Sequence, residues 1–182
     1  NFLPVLALVF NAFVWGVSWW PFRQLHGAGV HPLWATALVF TLAVVGLLLA
    51  RPGVFTRTRA YPALWLLALS SGLTTVAFNW AVTVGDVVRV VLLFYLMPAW
   101  SVLLAWRVLG ERPTRMAVVR LVMAFAGVAL VLVPADASIE RMVGHLSGAD
   151  LLALAGGFCF ALTNVTLRRL HQLPSESRML AM

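Results

Sequence analysis

Six stretches of this chain, at about 3–22, 32–50, 63–84, 87–108, 117–133 and 150–167, are each long and apolar enough to cross a lipid bilayer. A spanning helix needs about 20 mostly apolar residues. In hydrocarbon a backbone satisfies its own polar groups only as a helix or as a closed barrel. Barrel strands alternate over about 10 residues, whereas these runs are longer and uniformly apolar. The expected fold class is therefore all-α, a polytopic membrane helical bundle. Composition agrees: 62% of residues are hydrophobic and 10% charged, against roughly 25% charged in soluble domains. So few charges cannot coat a water-soluble globule, and so apolar a chain is not disordered.

The charges act as topology signals. All 13 basic residues are arginines, set against six acids for a net charge of +7. They sit in short gaps between the apolar runs, not on one basic face, so the expected partner is the bilayer and not nucleic acid. Arg51, Arg57 and Arg59 follow the second run. Arg107, Arg112, Arg115 and Arg120 follow the fourth, and Arg168, Arg169 and Arg178 follow the sixth. The opposite side holds Arg23, Arg89 and Arg141. The positive-inside rule places the richer side, and with it the N-terminus, in the cytoplasm. The absence of lysine beside many Ala, Val and Arg points to a GC-rich bacterial genome and hence to a bacterial inner membrane. Cys159 stands alone in an apolar run, and His26, His31, His145 and His171 lie in loops on different sides, so neither metal nor cofactor is expected. No basic segment or small-residue cleavage site marks a signal peptide. The opening Asn1 and the apolar turn at 177–182 point to a piece of a longer chain.

A shift of 145 positions lays Arg23, Leu25 and His26 on Arg168, Leu170 and His171. Phe13 then meets Phe158, Leu6 meets Leu151, and Ser18 faces Thr163. The copies begin five helices apart, an odd number, so the second enters the membrane from the opposite side. Inverted repeats of this kind are typical of secondary transporters. The expected organisation is a five-helix repeat over 1–146 and the first helix of a second, incomplete repeat over 147–182.

Several side chains stand out against the apolar background. On the third helix Gly72, Thr75, Asn79, Thr83 and Asp86 recur at spacings of three and four, on one face. Hydroxyls and glycines there read as helix–helix packing. Asn79, mid-helix with two donors and an acceptor, divides between packing and a cavity. The first helix presents Asn11, Trp15, Ser18 and Phe22 on one face. Trp19 and Trp20 read as interfacial anchors, but Trp15 lies deeper, where its N–H wants a partner. On the sixth helix Gly157, Phe160 and Asn164 share a face, and the shift puts Phe160 in the place of Trp15. Pro98 has no N–H for the Phe94 carbonyl and should kink the fourth helix next to Tyr95. Arg89, near Asp86, reads either as an interfacial ion pair or as an anion clamp at the outer gate. Glu111 reads as a structural partner of Arg107 or Arg115, or as part of an inner gate. The expected substrate contacts are Trp15, Asn79, Tyr95, Phe160 and Asn164, with Pro98, Arg89 and Glu111 in gating or kinking roles.

Three motifs carry a family likeness: Trp15-Gly16-Val17-Ser18, Phe94-Tyr95-Leu96-Met97-Pro98, and Leu109-Gly110-Glu111-Arg112. With the helix spacing, they make the chain resemble the EamA-type branch of the drug/metabolite transporter superfamily. The stretch from Arg89 to Leu96 is most similar to bacterial amino-acid exporters, including those for aromatic amino acids. The resemblance implies ten helices in two inverted five-helix repeats, a central cavity and alternating access. Only six helices are present here.

The expected function is a secondary transporter exporting small metabolites, foremost amino acids. The rival is a membrane-embedded enzyme or an assembly scaffold. Asp86, Glu111, Asp136, Glu140, Asp150 and Glu176 all fall at helix ends or in loops, so no titrating group is expected at the midplane and an enzyme is disfavoured. For the same reason the expected transport is facilitated diffusion, not proton-coupled flux.

Overall fold

A computed structural model describes residues 2–53, 55, 61–132 and 147–182. Arg57, Arg59, Asp136, Glu140, Arg141 and His145 lie outside the described residues.

Prolines set where the helices break. The first span consists of α1 (Leu3–Val17) and α2 (Trp19–Gly27), with Ser18 between them. Pro21 cannot donate to the Val17 carbonyl, and its ring crowds that carbonyl, so α1 ends there. The fourth span repeats the device. Its first part, α5 (Val87–Phe94), stops four residues before Pro98. After Tyr95 and Leu96 the chain resumes as α6 (Met97–Leu104) and ends in a π-helical turn, Ala105–Leu109. Pro98 sits in the first turn of α6, where a missing N–H costs nothing. The second and third spans are the unbroken helices α3 (Pro32–Ala50) and α4 (Ala63–Val84), with the bounds expected from the sequence. Helix α7 (Arg115–Leu132) is the fifth apolar run, α8 (Gly148–Arg169) the sixth, and α9 (Ser175–Ala181) closes the chain. Five helical segments among the described residues have the length and apolarity of a membrane span; α7 adds an 18-residue helix to them.

The bundle is built on α8, which lies along α4 over its whole length and flanks α5 and α6. Its tightest part is a cluster of small and medium side chains, Ala81, Val82, Val90, Leu93, Ala149 and Ala153. Small residues let membrane helices approach closely. Gly85 is the extreme case: a Cβ built there would lie 2.7 Å from that of Ala149 and 2.9 Å from the Ala81 carbonyl oxygen. The threonines of α4 are buried at little cost. Thr74, Thr75 and Thr83 donate to the carbonyls of Ser70, Ser71 and Asn79, one turn back, at 2.8, 3.1 and 2.6 Å. No residue of α1 is buried, so that helix offers its apolar surface outward.

Polar contacts sort the connections onto two ends. At one end Arg51 pairs with Glu176 at 2.9 Å and Arg168 with Glu111 at 2.8 Å. At the other, Arg23 donates to the carbonyls of Val82 and Gly85, and Arg89 pairs with Asp150 at 2.8 Å. Among the described residues the connections thus fall alternately at the two ends.

Candidate functional site

A cleft of about 470 Å³ opens between α1, α4, the break in the fourth span and α8. Its wall is a row of four aromatic rings from four helices. Trp15 meets Phe78 edge-on with centroids 5.8 Å apart. Phe78 meets Phe94 at 4.8 Å, and Phe94 meets Phe160 at 5.7 Å. The first two contacts are edge-to-face, which directs positive ring edges onto negative faces, and the third is tilted. Trp15 and Phe160, the pair related by the 145-residue shift, stand at the two ends of the row. Tyr95 joins the lining from the helix break, with more than half of its surface exposed. Asn11, one turn before Trp15, and the hydroxyl residues Thr75 and Thr163 supply polar edges. No charged side chain lines the cleft among the described residues.

The five expected contact residues therefore divide. Trp15, Tyr95 and Phe160 share the cleft. Asn79 is buried and donates to the Thr36 hydroxyl on α3 at 3.2 Å, so its amide points to the packing side of α4. Asn164, half-buried on α8, follows Thr163 and is not part of the lining. Phe78 was not singled out in the sequence; it is one residue from Asn79 and one turn past Thr75, so helical periodicity alone places it beside the stripe.

The break at Tyr95–Leu96 is a close contact as well as a kink. A Cβ built on Gly157 would lie 2.8 Å from the Phe94 carbonyl oxygen. The carbonyl that Pro98 leaves without its helical donor thus rests against a residue with no side chain. At Gly156 the same construction meets only Ala77 and the Phe94 ring, at 3.4 and 3.5 Å. Pro98 itself faces a crevice shared with Leu121, Ala124 and Phe125 of α7.

Two partners differ from those expected. Asp86 is not the counter-ion of Arg89. It caps α5, accepting from the Arg89 backbone N–H at 2.8 Å, because an N-cap carboxylate reaches the first free amides of its own helix. The Arg89 guanidinium instead bonds Asp150 through Nε. Asp150 is 2% exposed and fully engaged, for it also closes a capping box with Ser147 at 2.9 and 3.2 Å. Likewise Glu111 pairs with Arg168 across the bundle and not with Arg107 or Arg115 in its own loop. The Ser147-x-x-Asp150 spacing before an apolar run is a capping-box signature, so the cap, though not the arginine, was open to sequence reasoning. A wide cleft of about 810 Å³, lined by Trp80, Asp86, Arg89 and Asp150 among others, opens at this end.

Five helices long and apolar enough to cross a membrane, among the described residues, define a multi-pass helical membrane protein. The family model for the EamA-like transporter family matches residues 2–133. The chain belongs to that family, part of the drug/metabolite transporter superfamily, whose members are membrane transporters and not enzymes. No curated protein and no solved structure matches the chain significantly.

Proposed function

We propose that the chain forms the larger part of an alternating-access carrier of the bacterial inner membrane that exports small metabolites, foremost amino acids. Residues 1–146 are the first inverted repeat, 147–182 begin the second, and the N-terminus is cytoplasmic. The observation that carries this reading is the aromatic cleft at the helix break. Its rings come from α1, α4, α5 and α8, and Trp15 and Phe160, which the 145-residue shift superposes, stand at the two ends of the row. Rings with hydroxyl and amide edges suit a solute that is part apolar and part polar. Trp15, Tyr95 and Phe160 contact the solute, while Asn79 holds α4 to α3 behind them. Pro98 maintains the break, and Arg89 and Glu111 act at the two mouths. Transport runs down the solute gradient, since no carboxylate, histidine or arginine lines the cleft among the described residues.

The test is counterflow in proteoliposomes with a panel of labelled amino acids and related metabolites, with and without a pH gradient. Exchange of an amino acid at equal initial rates under both conditions is the expected result. Accumulation only when protons run down their gradient would overturn the uncoupled mechanism, and no flux of any panel member would overturn the carrier reading.

A further inference from the structure

The fourth and sixth spans run side by side in the same direction, and an ion pair ties them together at each end. At one end the arginine is on the fourth span and the acid on the sixth: Arg89 with Asp150 at 2.8 Å. At the other the signs are exchanged: Glu111 follows the fourth span, and Arg168 belongs to the sixth, again at 2.8 Å. Between the two pairs the fourth span is broken, and there the Phe94 carbonyl rests on Gly157 of the sixth. Two pieces joined by a central contact and an ionic tie at each end have the geometry of a rocker.

We propose that Arg89–Asp150 and Glu111–Arg168 are the two alternately broken latches of this carrier, and that Phe94–Gly157 is the contact about which it rocks. This rests on the alternating-access reading above. The pairs are not equivalent. Asp150 is 2% exposed, the Arg89 side chain is 38% exposed, and the second Asp150 oxygen is held by the helix cap, so this pair is half-buried, whereas the Arg168 and Glu111 side chains are 60% and 50% exposed. Removing one partner of a pair whose carboxylate is buried costs more than breaking a pair exposed on both sides. The end held by Arg89 also has the close Gly85–Ala149 contact. The Arg89 tie, at the base of the wide cleft of that end, is therefore the stronger latch, and the Glu111 tie breaks more readily. Asp150 and Arg168 are positioning residues: they act on the solute path through the helices that they tie.

The experiment uses a reporter thiol in the cleft, Thr75→Cys with Cys159→Ala, labelled by an impermeant reagent from each face of the membrane. Asp150→Asn keeps an oxygen for the Ser147 cap but loses the charge, and Arg89→Gln spares the cap entirely. Both should raise labelling from the Arg89 end roughly tenfold. Glu111→Gln should raise labelling from the opposite end about twofold, and Glu111→Arg with Arg168→Glu should restore the parental pattern. Shifts of the same sign for both pairs, or no shift while solute exchange continues, would overturn the latches alone. Labelling from one face only in every variant, with no exchange, would overturn the latches together with the carrier reading.

Discussion

At the scale of single residues, the cleft separates side chains that meet the solute from those that only hold its walls. Trp15 and Phe160 end the ring row, and each keeps a face toward the open space. Replacing either with alanine removes one aromatic contact. The expected result is a KM about tenfold higher, with little change in the melting temperature of the detergent-solubilised protein. Asn79→Ala should do the reverse. It strands the Thr36 hydroxyl in the interior and should cost about 1–3 kcal/mol of stability, leaving KM near the parental value in the protein that remains folded. Parallel thermal-shift and uptake measurements separate the two classes. The sequence marked Asn79 as polar and mid-helix, but its partner is 43 positions away. Periodicity assigns a face to a residue, not the neighbour that the face meets, and the same gap hid Asp150 from Arg89.

At the scale of elements, the two broken spans follow from one rule. Each helix stops at the residue whose carbonyl a proline four positions later cannot serve, Val17 before Pro21 and Phe94 before Pro98. The break at Pro98 and the unbroken α3 and α4 were legible in the sequence, because each depends on chemistry within one segment, whereas the first span was expected unbroken over 3–22 although Pro21 obeys the same rule. The contact of the Phe94 carbonyl with Gly157 was not legible, since it joins segments about sixty positions apart. Pro98→Ala restores the missing donor and should straighten the span. The solubilised protein should then melt at a higher temperature while its exchange rate falls, as read by counterflow. Gly157→Ala pushes a methyl into a backbone oxygen and should destabilise by about 1–3 kcal/mol. Gly156→Ala, which meets only ordinary contacts, should be close to neutral. Equal effects at the two glycines would deny the Phe94 contact its special role.

At the scale of the whole molecule, the ion pairs define two ends, and the arginine count gives them sides. Cysteines at His26 and Pro113, both exposed and at opposite ends, should react with impermeant reagent from opposite faces, with Pro113 reached from the cytoplasm. Reaction of both from one face would break the alternation on which the repeat rests. The polar contacts inside this bundle have, finally, a direction along the chain. Asn79 bonds Thr36, Asp150 bonds Arg89, and Thr163 lies 3.0 Å from Ser70, so in these three contacts the later segment brings a buried group to an earlier one. During synthesis every such group enters the bilayer when its partner is already there. The threonines of α4, satisfied within their own turn, wait for nothing. The Asn79 amide and the Asp150 carboxylate thus enter a bilayer that already holds their partners, whereas the Arg23 and Arg89 guanidinium groups stay at the interface until α4 and α8 arrive.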